Sequence, residues 1–364
     1  MATPPSITPA SLPPATTRRF VLPGRALAIL AALLLVLAGC SGDDGGGAGG
    51  GEPNTLRLGY FPNLTHATAL AGLQKGIFQA KLGDTKLDAH AFNAGPAVTE
   101  ALFSGALDAS YIGPNPAINA FTKSNGEAIR IISGATSGGA ALVVKPGIGS
   151  AADLRGKTLS TPQLGNTQDV ALRAWLDKQG LKTTKEGGGD VKIQPQENAQ
   201  SLETFQAGKI DGAWVPEPWA TRLELDGGGK VLVDEATLWP QGRYVTTHLI
   251  VRTEYLRQHP TQVEALLRGQ VEANELVNTN PAEAQKLVND GIEQVTGKSI
   301  DDAVLSAAWK RLAFTNDPVA DSLRTSAANA KALGFLSDDN LEGIYDLSLL
   351  NKVLAEQGAT KVDT

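Results

Sequence analysis

The chain has 364 residues and a net charge of −6 at pH 7, with 19% charged and 5% aromatic residues. This is an ordinary soluble composition, and it argues against a polytopic membrane protein. Residues 1–39 hold three arginines and no acid, so the remainder carries −9, a sign that argues against nucleic acid as a partner. The length favours two domains.

The first 39 residues are predicted to be a secretory signal peptide. Three arginines precede an apolar run at 26–38 that is too short to cross a bilayer as a folded helix. Residues 37–40 (LAGC) resemble the lipobox of bacterial lipoproteins, which makes Cys40 the expected site of lipidation. Residues 40–53 are rich in Gly and predict a flexible tether. We therefore expect a lipid anchor on the extracytoplasmic face of the cell membrane; the Sec and twin-arginine export routes both stay open.

Motifs for catalysis and metal binding are incomplete in this chain. Cys40 is the only cysteine, so no disulfide, cysteine nucleophile or cysteine-based metal site is expected. The four histidines lack metal-ligand spacing. Ser137 lacks the first glycine of a nucleophile elbow, and Gly156-Lys157-Thr158 lacks the first glycine of a phosphate-binding loop. The sequence therefore predicts a protein that is not an enzyme and holds no metal or cofactor.

From residue 54 the pattern alternates between strands and helices, which predicts an α/β fold. The first series has strands at 55–61, 86–92, 109–112, 130–133 and 141–145, with helices at 67–78, 96–103 and 116–122. The second series has strands at 157–162, 191–195, 212–215 and 230–234, with helices at 167–179 and 199–207. Beyond residue 249 we predict almost only helices, without strand partners, at 260–278, 281–290, 303–312, 318–333 and 340–354.

One phrase occurs in both series, as GALDASYIGPNP at 105–116 and GKIDGAWVPEP at 208–218. In each copy the glycine is predicted to end a helix with a positive φ, and the Pro-x-Pro is predicted to stop the following strand. Ligands of open α/β sheets bind beyond the carboxyl ends of strands, where helix N-termini present unpaired N–H groups. Both copies are therefore predicted to lie where a ligand would bind.

Short loops of small, polar residues follow the predicted strands or begin predicted helices, and the one at 136–139 precedes a strand. Such loops offer backbone N–H groups and neutral donors, which suit an oxyanion that binds reversibly without a buried counter-charge. They lie at 63–66, 93–96, 113–116, 136–139 and 165–168.

Several stretches resemble the substrate-binding proteins of ABC importers in the nitrate, sulfonate and taurine group, in particular the aliphatic sulfonate branch. The most specific are GNTQDVALRAWL at 165–176 and WVPEPWATRL at 214–223. The resemblance implies a periplasmic-binding-protein type II fold, with two α/β lobes, a ligand cleft between them and a helical C-terminal third. The first lobe would comprise 54–145 plus 246–364, and the second 146–245. The expected partners are a small oxyanion and an ABC permease with its ATPase, and the protein is expected to be a monomer.

The resemblance also implies which residues bind the ligand. The headgroup would accept hydrogen bonds from the N–H groups of Asn115, Gly139 and Thr167, and Trp214 or Tyr111 would cover an alkyl chain. The full set is Asn63, Thr65, His66, Gly95, Asn115, Pro116, Ser137, Gly138, Gly139, Asn166, Thr167, Gln168, Trp214 and Glu217.

Glu217 has no settled role in this scheme, because a carboxylate beside a bound anion is unfavourable. It could bind the amine of a taurine-like ligand, pair with Arg222 or Arg243, or select against anions. Other functions of the same fold also stay open: binding of a thiamine-precursor pyrimidine, a desulfinase-like enzyme, or a sensor or adhesion lipoprotein.

Overall fold

The structure is a computed structural model that describes residues 54–364. The predicted signal peptide, the lipidation site at Cys40 and the tether at 40–53 lie outside the described residues. Within 54–364, no helix combines the length and hydrophobicity needed to cross a membrane.

The strands of residues 54–364 form two sheets, each covered by helices. They are β1 (Thr55–Tyr60), β2 (Lys86–Ala91), β3 (Ala109–Ile112), β4 (Ile129–Gly138), β5 (Ala140–Val144), β6 (Thr158–Thr161), β7 (Lys192–Pro195), β8 (Gly212–Pro216), β9 (Lys230–Asp234), β10 (Val245–Arg252) and β11 (Leu312–Phe314). The first sheet has the strand order β11-β4-β10-β3-β1-β2, and the second has β7-β6-β8-β5-β9.

Both sheets contain parallel strand pairs. In the first sheet, β1 pairs in parallel with β2 and β3. In the second sheet, β6 pairs in parallel with β7 and β8. The chain passes between the sheets twice, from β4 to β5 and from β9 to β10, and in each sheet the strand after the crossing pairs antiparallel with its neighbours.

The helices alternate with the strands up to residue 225 and dominate the C-terminal part. They are α1 (Ala67–Gln74), α2 (Ile77–Leu82), α3 (Gly95–Phe103), α4 (Pro114–Lys123), α5 (Thr167–Lys178), α6 (Asn198–Gln206), α7 (Trp219–Leu225), α8 (Thr253–Gln258), α9 (Pro260–Thr279), α10 (Pro281–Thr296), α11 (Asp302–Trp309), α12 (Ala320–Ala332) and α13 (Ser348–Glu356). Apolar residues of α1, α2, α9 and α10 pack with those of β1 and β3 into one hydrophobic core.

The repeated phrase has the predicted backbone geometry. Gly105 follows α3 with φ 72°, and Gly208 follows α6 with φ 73°. Both conformations are left-handed, and glycine adopts them without the steric cost of a Cβ. The strands that follow, β3 and β8, are buried throughout and lead to α4 and α7.

Two strands contradict the prediction that the chain beyond residue 249 is helical without strand partners. β10 extends to Arg252 and lies between β3 and β4, and β11 pairs with β4. Seven of the eight residues of β10 are buried, so the polar and apolar alternation of a half-exposed strand is missing. β11 has three residues, too few to form a recognisable pattern.

Two further boundaries differ from the sequence interpretation. β5, which the predicted bounds place in the first lobe, pairs with β8 and β9 of the second sheet. The last helix begins at Ser348 instead of residue 340. Before it, Tyr345 forms a backbone bridge with Ile131 of β4, which holds that part of the chain in an extended conformation.

Candidate ligand-binding site

Loops at the carboxyl ends of strands from both sheets enclose a cavity of about 20 Å³. This volume holds about one water-sized group. The cavity brings together six of the predicted site residues, Asn63, Thr65, His66, Asn166, Thr167 and Gln168. The first three follow β1 of the first sheet, and the other three follow β6 of the second.

Thr167 is the first residue of α5 and faces the first sheet. Its side chain is buried, and its Oγ1 has no hydrogen-bond partner. A Cβ at Gly113 would lie 2.5 Å from this Oγ1, so only glycine allows the two loops to approach this closely. The Thr167 N–H, which the sequence interpretation assigned to the headgroup, donates to Asn166 Oδ1 at 2.8 Å. Its hydroxyl is therefore the group free to bind a ligand.

His66 lines the same cavity and is uncharged. Its Nδ1 accepts a hydrogen bond from the Phe61 backbone N–H at 3.3 Å, so the ring proton resides on Nε2. Burial lowers the pKa of His66 to about 3, and the ring stays uncharged at neutral pH. Thr65, next to it, is fixed by a hydrogen bond of 2.7 Å from Thr136 Oγ1 to its carbonyl oxygen.

Two hydrogen bonds connect the sheets beside the cavity. Trp219 Nε1, at the start of α7, donates to Asn63 Oδ1 at 3.0 Å. Asn93 Nδ2, after β2, donates to Glu197 Oε1 at 2.9 Å. Asn63 therefore also joins the two sheets, a role that the sequence interpretation did not assign to it.

Thr167 also lines a second cavity of about 20 Å³, together with Asn115. Asn115 is buried, and its Nδ2 donates to the Ser326 carbonyl at 3.4 Å. Three further residues of this cavity, Glu235, Trp239 and Tyr244, were not predicted from the sequence. These residues lie between β9 and β10, in a stretch that has no small, polar loop between a predicted strand and a predicted helix.

The remaining predicted glycines lie at contacts between segments. A Cβ at Gly95 would lie 2.2 Å from Pro116 Cγ, so these two predicted residues form the contact between the starts of α3 and α4. Gly138 and Gly139 have φ of 81° and 77° at the passage from β4 to β5, beside Arg311 and Leu312.

Ser137 and Trp214 support the walls of the site from inside the protein. Ser137 Oγ accepts a hydrogen bond from the Tyr244 backbone N–H at 3.3 Å. Trp214, predicted to cover an alkyl chain, is fully buried in the core of the second sheet. Its Nε1 donates to Glu235 Oε2 at 2.8 Å. Tyr111, the other residue predicted to cover that chain, is also fully buried and bonds Gln270 Oε1 at 2.5 Å.

Glu217 forms an ion pair that the sequence interpretation missed. Its side chain is fully buried, and its Oε1 lies 2.9 Å from Arg311 Nη1. The proposed pairing with Arg222 or Arg243 is wrong, since these bond Asp226 at 3.1 Å and Asp317 at 2.5 Å. Burial raises the pKa of Glu217, while the Thr221 N–H and Arg311 oppose that rise.

Residues 49–289 of the chain match the model of the NMT1-like family. The taurine-binding periplasmic protein of Escherichia coli (strain K12) is 29% identical over 202 residues, which cover 56% of this chain and 61% of that relative. The chain thus matches less than two thirds of this relative's length.

Two solved structures share the fold. The alkanesulfonate-binding protein SsuA of Xanthomonas axonopodis pv. citri, bound to MOPS, superposes with a TM-score of 0.66 at 22% identity, covering 80% of this chain and 97% of its own. The periplasmic nitrate-binding protein NrtA of Synechocystis PCC 6803 gives 0.67 at 16% identity, covering 83% and 89%. The predicted periplasmic-binding-protein fold is thereby confirmed.

Proposed function

The chain belongs to the NMT1-like family, and from this premise we propose that it is the extracytoplasmic binding component of an ABC importer. Its ligand is an aliphatic sulfonate or a related small oxyanion such as taurine or nitrate. The relatives that carry this proposal are binding proteins for taurine, alkanesulfonates and nitrate. The protein delivers the ligand to a permease with its ATPase and performs no chemistry on it.

The observation that supports an oxyanion most directly is the unpartnered Thr167 hydroxyl at the start of α5. An α-helix carries partial positive charge at its N-terminus, which favours an anion there. Thr167 Oγ1 and His66 Nε2 supply neutral donors from opposite sheets. A set of neutral donors binds a monoanion without burying a second ion, so the ligand can leave again.

Binding and closure are coupled in this proposal. We take the lobes to follow the sequence interpretation, 54–145 plus 246–364 and 146–245, except that β5 belongs to the second lobe because it pairs with β8 and β9. Closure is a hinge motion between the lobes. The bonds Trp219–Asn63 and Asn93–Glu197 stabilise the closed form. Opening breaks both and widens the cavity enough for the ligand to enter.

The proposal includes the predicted attachment to the membrane. Lipidation at Cys40 and a Gly-rich tether keep a monomeric protein near the permease. Replacing Cys40 by Ser in the native host would test this: the protein should move from the membrane fraction to the soluble extracytoplasmic fraction.

Calorimetric titration of the purified protein with ethanesulfonate, taurine, nitrate and a hydroxymethyl aminopyrimidine tests the ligand class. The proposal expects binding of at least one of the oxyanions and none of the pyrimidine. Binding of the pyrimidine alone, or of no oxyanion, would refute it.

A further inference from the structure

A buried ion pair holds the loop that leads into α5. The carboxylate of Asp169 is fully buried, and its Oδ1 accepts hydrogen bonds from Thr161 Oγ1 at 2.9 Å and from Arg173 Nε at 3.0 Å. Its Oδ2 accepts a further hydrogen bond from the Gly165 N–H at 2.9 Å. Residues of the loop 162–166 line the cavity that we propose for the oxyanion. The conformation of this loop therefore depends on Asp169, whose charge Arg173 balances.

The guanidinium of Arg173 is buried but only partly hydrogen-bonded. Arg173 is 1% exposed, its Nη1 donates to the Thr184 carbonyl oxygen, and its Nη2 has no hydrogen-bond partner. A guanidinium has more N–H donors than these contacts use, and a buried donor without a partner is unfavourable. The face of an aromatic ring is another group that stabilises a desolvated cation.

Phe335 supplies such a ring from the opposite side of the cleft. It follows α12, whose apolar residues pack with those of the first sheet, whereas Arg173 lies on α5 beside the second sheet. The centre of its ring lies 5.6 Å from Arg173 Cζ and 5.3 Å from Lys185 Nζ. A Cβ at Gly165 would lie 3.5 Å from Phe335 Cδ1, so the ring lies beside the loop as well as beside the cation.

We infer that Phe335 is a positioning residue that covers Arg173 and Gly165 when the lobes close and so holds the loop 162–166 in its ligand-binding conformation. The inference rests on the proposed function and adds a residue that lines none of the cleft cavities. Opening of the lobes separates Phe335 from both residues, and water then reaches Arg173. Ligand and Phe335 therefore stabilise the same closed form, so loss of the ring shortens the time for which a ligand stays bound.

Hydrogen–deuterium exchange of the purified protein without ligand tests the contact itself. Phe335→Leu keeps an apolar side chain but loses the ring face, and the amides of residues 162–168 should exchange about fivefold faster. Phe335→Tyr keeps the ring face, and its exchange should stay within about twofold of the wild type. Phe103→Leu, which replaces a ring that is 48% exposed, is the matched control and should not change exchange at 162–168.

Stopped-flow kinetics with ethanesulfonate tests the effect on binding. Phe335→Leu should raise the dissociation rate constant about fivefold. The association rate constant should change by less than about twofold, because changes in affinity among variants of one site act mainly on dissociation. Phe335→Tyr should restore the dissociation rate constant of the wild type. A ring that only fills space would be replaced by leucine without this loss.

The outcomes separate this inference from the proposed function. Exchange and dissociation that stay unchanged in Phe335→Leu, or that change equally in Phe335→Tyr, would overturn the role of Phe335 and leave the proposed function standing. Failure of ethanesulfonate, taurine and nitrate to bind the wild type would refute the proposed function. The exchange measurement needs no ligand, so it would still decide whether Phe335 holds the loop. If Phe335→Leu does not fold, Phe335→Met, which also lacks a ring face, replaces it.

Discussion

Glu217 and Arg311 are 94 residues apart in the chain, and their side chains meet at 2.9 Å between Oε1 and Nη1. Glu217 ends the strand-and-turn segment before α7, whereas Arg311 precedes β11 of the first sheet. Arg311 Nη1 also lies 2.6 Å from Glu224 Oε1 on α7. This cluster joins the two sheets beside the passage from β4 to β5, and it gives Glu217 a cationic partner within the protein.

Replacing Arg311 by Ala should destabilise the protein strongly. The change leaves Glu217 buried without a cation, and the loss of one partner of a buried pair costs about 3–5 kcal/mol. Because Arg311 is 31% exposed, we expect a value near the lower end. Urea unfolding followed by circular dichroism measures the free energy of unfolding.

Arg243→Ala is the control for this change, since Arg243 is 54% exposed and pairs with Asp317 at the surface. Its loss should cost less than about 1 kcal/mol. Adding Glu217→Gln to Arg311→Ala should recover part of the lost stability. Equal effects of the two Arg→Ala changes would show that the Glu217–Arg311 pair contributes no more than a surface pair.

Thr167→Val should separate binding from folding. The hydroxyl has no partner within the protein, so its removal should change the free energy of unfolding by less than about 1 kcal/mol. Oxyanion affinity should fall by about tenfold, the equivalent of one hydrogen bond to a charged group. Calorimetry and urea unfolding give the two quantities. Thr325→Val, on the exposed surface of α12, is the control and should change neither the affinity nor the free energy of unfolding. If Thr167→Val lowers the stability but leaves the affinity unchanged, Thr167 is not a ligand-binding residue.

The stability of the protein should depend on pH through Glu235. Burial raises the pKa of Glu235 from 4.5 to about 7, so the folded state keeps a proton that the unfolded state releases. The contribution of Glu235 is therefore fully favourable below pH 4.5 and is lost as the pH rises through 7, by roughly 3 kcal/mol at most.

The histidines act in the opposite direction over part of this range. Burial lowers the pKa of His66 to about 3 and that of His248 to about 4, so their contributions are lost as the pH falls below 6.5. The difference in unfolding free energy between the wild type and Glu235→Gln isolates Glu235. As the pH rises from 4.5 to 7, the free energy of unfolding of the wild type should fall relative to that of Glu235→Gln. A difference that does not change with pH would contradict a buried carboxyl group with a raised pKa.

Trp219→Phe should weaken ligand binding by favouring the open form. Phenylalanine keeps a ring beside Arg222 but loses the N–H that bonds Asn63. One neutral hydrogen bond is worth about 1 kcal/mol, so affinity should fall by about fivefold. In the absence of ligand, small-angle X-ray scattering should give the Trp219→Phe variant a larger radius of gyration than the wild type. Asn93→Ala, at the second connection, should act in the same direction; unchanged scattering and affinity in both variants would contradict this role.

Local patterns predicted the elements that build the site. β3 and β9 occupy the predicted spans 109–112 and 230–234, and α5 begins at the predicted Thr167. These boundaries are marked by residues close in sequence, such as Gly105 with its positive φ and Asn166 at the N-cap. Four of the predicted loops also meet at one cavity, at 63–66, 93–96, 113–116 and 165–168.

Contacts between distant residues could not be predicted in this way. The partner of Glu217, Arg311, lies in the helical C-terminal part of the chain, beyond the alternating strands and helices. Trp214 donates its hydrogen bond to Glu235, which is 21 residues further along the chain. β10 gave no strand pattern because nearly all of its residues are buried. Each of these errors concerns a residue whose environment is set by packing between segments, which periodicity along one segment does not report.

A crystal structure of the protein with bound ethanesulfonate, located by the anomalous signal of its sulfur, tests the central claim most directly. The account predicts the sulfonate between the two sheets, with its oxygens within hydrogen-bond distance of Thr167 Oγ1 and His66 Nε2. A sulfonate bound elsewhere, with Thr167 and His66 in contact with protein groups alone, would contradict it.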